Sequence, residues 1–187
     1  TATGVEELHT HRLSYPLVVK PVDCNSSKGV KRVERESDLE DVVRDALRLS
    51  RSHEAIVERF NPGREIQVDC FVQDGKTEVI MTREKQKLSS VSGCELQSFG
   101  SLFPASLPRS LEPRVAEIAG RIARGFSLER TPFFFQAVVQ GAEINVLEFA
   151  PRIGGGVSFD VIQRLTGFDM MDALIRSFFG EKVERTF

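Results

Sequence analysis

Hydrophobic positions along this chain follow two periods, and the switches between them mark the elements. YPLVVKPV, from Tyr15 to Val22, is a β-branched run bounded by prolines and predicts a strand. The small polar segment DCNSSKG turns the chain, and GVKRV reads as the strand returning from it. Ser37 and Glu40 have capping-box spacing ahead of Leu39, Val42, Val43, Ala46, Leu47 and Leu49, which recur with helical period. AIVER, residues 55–59, is the next strand and completes a β-β-α-β order.

After the turn NPGR, EIQVDCFVQ alternates up to the hairpin signal DGK, and TEVIMTRE is its partner strand. Residues 85–109 lose periodicity and gather Ser, Gly and Pro, so the pattern predicts a long loop there. A helix is expected from about Ser110 to Phe126, with Val115, Ile118, Ala119, Ile122 and Ala123 inward. FFFQAVVQ, Gly141 and EINVLEF form another hairpin. Two helices follow, divided by Thr166 and Gly167, the second from Asp169 to Phe179 and stopped at Gly180. The sum is an α+β fold, mostly antiparallel, in two lobes taken as 1–60 and 61–187.

Composition narrows the classes. At 187 residues and 41% hydrophobic content the chain can bury a sizeable core. A net charge of -2 argues against a nucleic-acid partner, which usually demands a basic excess. The apolar runs fall short of the ~20 residues that span a bilayer, so no membrane partner is expected. The N-terminal residues lack the pattern of a secretory signal, and Cys24, Cys70 and Cys94 are odd in number and widely spaced, which fits a reducing cytoplasm. No second ligand cluster accompanies Cys24 or Cys94, which argues against a metal or nucleophile role for them.

The candidate chemistry is concentrated in three places. Lys20 interrupts the apolar strand VVKPV, either as a strand-end lysine reaching solvent or as a phosphate contact. SSKG, Ser26 to Gly29, follows within eight residues, with small residues that let backbone N–H groups approach an anion and a charge at Lys28. Glu58 and Glu65 flank the turn in ERFNPGRE; they are either solvated carboxylates beside a hairpin or part of an adenine-ribose slot, and spacing does not decide between these. In the last hairpin Gln136 and Glu148 fall on neighbouring strands, where two oxygen donors suit Mg²⁺. Arg152 and the glycines at 154–156 come next, a cation and a flexible backbone at the start of a helix.

Taken in order, YPLVVKPVDCNSSKGV, IVERFNPGREIQVDCFV and EINVLEFAPRIGGG closely resemble the ATP-grasp superfamily over roughly residues 15–180, most like its carbamoyl-phosphate-synthetase-like and carboxylate-amine ligase branch. The resemblance implies ATP held between two α+β lobes, and a carboxylate activated as an acylphosphate with Mg²⁺ or Mn²⁺ for attack by an amine. It makes Lys20 a phosphate contact and Ser26, Ser27, Lys28 and Gly29 a mobile phosphate lid. Glu58, Arg59, Phe60 and Asn61 become the adenine hinge, Glu65 the ribose ligand, Gln136 and Glu148 the metal positions, and Arg152 the arginine beside the transferring phosphate.

Three positions depart from the family pattern. Ala150 stands where many relatives have asparagine, Gln136 where many have glutamate, and Ser26 where the lid often has glycine. The family normally has a preceding domain that carries a further nucleotide-contacting lysine, and this chain is expected to lack both. The expectation is therefore the ATP-binding part of a ligase whose partners are a small-molecule carboxylate, an amine and its own upstream domain, incomplete when alone. A nucleotide-binding module without chemistry, serving regulation or assembly, is the alternative that Ala150 and Gln136 raise.

Overall fold

The strand YPLVVKPV forms as β1 (Leu17–Pro21), and its alternation decides what it packs against. Leu17 and Val19 are buried, while Val18 and Lys20 face the other way. The computed structural model describes residues 13–88 and 95–184; Cys94 lies outside the described residues. β2 (Lys31–Val33) and β3 (Ala55–Arg59) flank β1, both antiparallel, in the order β2-β1-β3. Helix α1 (Leu39–Leu49) covers one face through Leu39, Val43 and Ala46, which meet Leu17, Val19, Val33 and Ala55.

The expected capping box is not formed. A single 3-10 turn, Glu36–Asp38, runs into α1, so Asp38 rather than Ser37 precedes the helix. The Ser37 hydroxyl donates to Asp38 Oδ1 at 2.8 Å, and Glu40 accepts from Arg44 Nε at 3.2 Å instead of reaching back.

The second sheet has five strands in the order β6-β5-β4-β7-β8. These are β4 (Arg64–Gln73), β5 (Lys76–Lys87), β6 (Ser98–Leu102), β7 (Thr131–Gln140) and β8 (Glu143–Ala150). Asp74 and Gly75, both at positive φ, make the tight turn between β4 and β5. One sheet face is apolar: Ile66, Val68, Cys70 and Val72 of β4 join Phe133, Phe135, Ala137 and Val139 of β7. Helix α2 (Glu112–Gly125) covers it with Val115, Ile118, Ala119 and Ala123.

The opposite face divides along β4. Phe71 and Ile80 pack with Ile162, Phe168, Met170 and Ala173, contributed by α3 (Ser158–Thr166), α4 (Met170–Phe178) and the turn between them. Gly167, at φ 75°, ends α3 in the left-handed region, and Asp169 Oδ1 caps α4 by accepting from Met171 N and Asp172 N. Farther along the same face stand Glu65, Gln67 and Asp69.

The long loop expected over 85–109 is corrected. β5 continues to Lys87, and Ser98–Leu102 forms the edge strand β6. Backbone pairing and a side chain hold this region: Leu88 N donates to Gln97 O and Lys87 Nζ to Leu96 O, each at 2.9 Å. No apolar alternation announces an edge strand whose Phe99 and Leu102 are exposed.

Of the described residues, those within Thr1–Asn61 and Gln86–Gly100 form one compact unit, and those within Pro62–Lys85 and Ser101–Phe187 form a second. Among the described residues no helix is long and apolar enough to cross a membrane.

Candidate functional site

In the first unit, the open face of the three-stranded sheet carries Val18, Lys20, Ile56, Glu58 and Phe60. Lys20 Nζ sits 2.8 Å from Glu58 Oε1, a pair set by the register that places Val18 opposite Glu58 and Lys20 opposite Ile56. The ammonium in the apolar run is therefore partnered, which removes most of the penalty of placing it there. Phe60 N donates to Pro16 O at 2.9 Å. Antiparallel pairing alternates bonded and non-bonded positions, so this bond turns the N–H and C=O of Arg59 away from β1, at the sheet edge. Arg32 lies 4.2 Å from the centre of the Phe60 ring.

The segment SSKG is a tight reversal. Lys28 N donates to Asn25 O and Val30 N to Ser27 O, at 3.1 and 3.2 Å, with Ser26, Ser27 and Gly29 all at positive φ. Two serines thus hold left-handed conformations that glycine adopts without strain. Gly29 is required for a second reason: a Cβ there would lie 2.7 Å from Leu49 Cδ1 and 2.9 Å from Pro21 Cγ.

In the second unit, register aligns a row of side chains across four strands. Gln67 is opposite Arg83 on β5 and Gln136 on β7, and Gln136 is opposite Glu148 on β8. The last pairing depends on a bulge. Gln140 pairs with Glu143 and Ala137 with Val146, a register that would put Leu147 against Gln136; one extra residue brings Glu148 there instead.

Hydrogen bonds tie the face together. Lys85 Nζ donates to Gln136 Oε1 at 2.7 Å and pairs with Glu65 Oε1 at 2.8 Å. Gln136 Nε2 reaches toward Gln67 Oε1 at 3.5 Å, and Gln67 Nε2 donates to Asp69 Oδ1 at 2.8 Å. Asp69 is fully buried, and burial pushes its carboxyl up despite the attraction of Arg83 and the bond from Gln67. Burial likewise pulls the Arg83 guanidinium down, against the pull of Asp69. The two are 3.8 Å apart from Nε to Oδ2, and neither of those atoms has a hydrogen-bond partner.

The segment after β8 closes over this face. Arg152 lies 4.9 Å from the centre of the Phe134 ring and donates from Nη1 to Ile153 O at 2.9 Å. Gly154 is buried, and a Cβ there would stand 2.5 Å from Gln67 Nε2, 2.7 Å from Asp69 Oδ1 and 3.1 Å from Arg83 Nη2. The first glycine of the triplet thus answers to packing on polar side chains. Ser158 Oγ, buried at the start of α3, lies 2.9 Å from Gly154 O and 3.0 Å from Gly155 O.

The ATP-grasp domain model matches residues 13–160, about four-fifths of the chain. The protein belongs to the ATP-grasp family. Solved structures share its fold: biotin carboxylase from Campylobacter jejuni, determined as a β,γ-ATP complex, superposes with a TM-score of 0.79 at 19% identity over 94% of this chain and 39% of that one. L-amino acid ligase from Bacillus licheniformis gives 0.76 at 24% identity, over 93% of this chain and 41% of that one. The biotin carboxylase domain of 2-oxoglutarate carboxylase from Hydrogenobacter thermophilus, determined with MgADP, ADP and bicarbonate, gives 0.78 at 14% identity, over 94% and 39%. The chain spans about two-fifths of the length of these structures. The α+β ATP-grasp fold expected from the sequence is thus established.

Within this ATP-grasp fold the metal donors can be tested by their chemistry. Among the described residues no group of three or more His, Cys, Asp or Glu could hold an ion. Glu148 is exposed and its carboxylate makes no hydrogen bond or ion pair among the described residues, whereas the Gln136 oxygen already accepts from Lys85 and Ala150, opposite Phe134, offers no side-chain donor. This fits a magnesium ion that takes most of its shell from phosphate and water.

Four polar residues escaped the sequence reading: Gln67, Asp69, Arg83 and Lys85. Their signal was present. Glu65, Gln67 and Asp69 alternate in EIQVDC, and Arg83 and Lys85 alternate in TREKQ, which marks one polar face on each strand.

Proposed function

We propose that this chain is the nucleotide-binding part of an ATP-dependent carboxylate-amine ligase. The observation that carries the reading is the bulged register that sets Glu148 opposite Gln136, beside Arg152 and within a face lined by Glu65 and Lys85. A core sheet face gains nothing from such a row. A face that receives a triphosphate and its metal ion does.

In this reading Lys20 contacts phosphate and Glu58 holds its ammonium in place. The turn Ser26–Gly29 closes over the phosphates through its backbone N–H groups and Lys28. The outward N–H and C=O of Arg59, with Phe60 and Asn61, read the adenine edge, and Glu65 accepts from a ribose hydroxyl. A bound magnesium ion would neutralise phosphate charge and align the γ-phosphate, with Glu148 as its candidate protein ligand and Gln136, whose oxygen is held by Lys85, beside it. A carboxylate oxygen of the acceptor attacks the γ-phosphorus, the bond to the β-bridging oxygen breaks, and ADP leaves. Arg152 stabilises the charge on the transferring group. An amine then displaces phosphate from the acylphosphate.

Calorimetric titration with ATP and ADP, with and without Mg²⁺, tests the nucleotide step. Glu65→Ala is expected to weaken binding by about tenfold or more, roughly 1.4 kcal/mol. Glu148→Ala is expected to make binding indifferent to Mg²⁺. Wild-type affinity with full Mg²⁺ dependence in both variants would overturn the assignment.

A further inference from the structure

The polar face of the second unit holds its own cation. Lys85 is largely buried, with 18% of its side chain exposed, and its ammonium lies between Glu65 Oε1 at 2.8 Å and Gln136 Oε1 at 2.7 Å. One oxygen comes from β4, the other from β7 within the row. Summed over Glu65, Gln136 and Lys85 the charge is zero, because Gln136 brings an amide where a carboxylate would add a negative charge. The carboxylate across the strand, Glu148, has no such compensation.

We propose that Lys85 is a built-in cation that takes the place of a divalent ion between Glu65 and Gln136, so that the nucleotide complex holds one metal ion, at Glu148. This rests on the nucleotide reading above. Phosphoryl-transfer sites often flank the transferring group with two metal ions, whose task is to offset phosphate charge. A lysine can do the same as a point charge. An ion that shared the Gln136 oxygen with the Lys85 ammonium would sit beside a like charge, in a partly desolvated place where repulsion is strong. Among the described residues, two of the three ammonium donors are used by protein, and the third is left for a phosphate oxygen. The arrangement ties phosphate recognition to the side chain that also orients Glu65, the ribose candidate.

The test counts metal ions rather than turnover. Mn²⁺ bound to the wild-type chain with a non-hydrolysable ATP analogue is measured by electron paramagnetic resonance, with protein in excess of nucleotide. One ion per nucleotide is expected for the wild type. Lys85→Met removes the ammonium from the Gln136 and Glu65 oxygens and is expected to admit a second ion. Lys85→Gln, which keeps a donor for Gln136 without the charge, serves the same purpose if the methionine variant does not fold. Two ions in the wild type, or one in both variants, overturns the role of Lys85 while leaving nucleotide binding standing. Absence of analogue binding in the wild type, with or without Mn²⁺, overturns the nucleotide reading and this inference with it.

Discussion

Replacing each glycine of the triplet by alanine separates three physical reasons for having one. At Gly154 the added Cβ would stand 2.5 Å from Gln67 Nε2 and 2.7 Å from Asp69 Oδ1, both on buried side chains. Forcing a methyl into packed surroundings destabilises by about 1–3 kcal/mol. The clash also parts Gln67 from Asp69, and leaving a buried acceptor unpaired adds about 1–3 kcal/mol. Gly154→Ala is therefore expected to cost about 2–6 kcal/mol. At Gly156 nothing lies within 4 Å, but its φ of +72° is left-handed, and alanine there costs about 1–2 kcal/mol. Gly155 has neither restriction, and Gly155→Ala is expected within about 1 kcal/mol of the wild type, on the stabilising side through the unfolded chain.

Urea denaturation followed by far-UV circular dichroism reads all three, since the chain has no tryptophan to report by fluorescence. The expected order of destabilisation is Gly154, then Gly156, then Gly155. A coupling experiment sharpens it: in a Gln67→Ala background, which removes the nearest clashing atom, the Gly154→Ala increment should shrink by about 1 kcal/mol or more. Equal effects at Gly154 and Gly155, or no coupling to Gln67, would refute the claim that the triplet is seated on this polar cluster.

Three more perturbations follow from the geometry. Asp69 has a native carboxyl raised above the unfolded value of about 3.9; between those two values the native state keeps a proton the unfolded chain has lost, so stability falls as pH rises through that window, and Asp69→Asn should remove this component of the pH profile in denaturation series. Gly29→Ala meets both a positive φ and the Leu49 and Pro21 side chains, and should destabilise the first unit by about 2–4 kcal/mol, whereas Ser26→Gly should be neutral or stabilising by up to about 1 kcal/mol in the same assay. Gln73 clasps the backbone of Val183, donating to its O at 3.1 Å and accepting from its N at 2.8 Å, so Gln73→Ala should speed amide exchange at Val183 without lowering the main urea midpoint by more than about 1.5 kcal/mol.

Much of the fold could be read from periodicity because apolar and polar side chains alternate over long stretches of the strands. Leu17 and Val19 alternate with Val18 and Lys20, and Ile66, Val68, Cys70 and Val72 alternate with Glu65, Gln67 and Asp69, so strand and inner face come together. What was not legible depends on partners distant in sequence. β6 exists through backbone pairing with β5, and SFGSL carries no pattern that reveals it. The bulge beside Gln136 leaves no local mark, yet without it Leu147 would occupy the place of Glu148. Ser37 and Glu40 have the spacing of a cap, but the 3-10 turn ahead of α1 shifts the helix start by one residue and dissolves it. Gln67 and Asp69 read as ordinary alternation on an exposed face, yet both are buried and Gly154 packs directly on them.

The same face shows how the two kinds of polar residue differ. From Lys85 through Gln136 and Gln67 to Asp69, donor follows acceptor in one direction, because a cation stands at one end and a carboxylate at the other and each amide can satisfy both only in that orientation. That chain fixes side chains and leaves them little freedom to meet a ligand, apart from the third donor of Lys85. Glu148 and Arg152 stand beside it, exposed, held by strand register and by the Phe134 ring rather than by the network. A buried polar network that merely stabilised the sheet could be replaced by apolar residues at no loss. Its contact with Gly154 gives it a further task, which is to seat the segment bearing Arg152 on the row, while Glu148 and Arg152, the candidate ligand groups, stand outside the network.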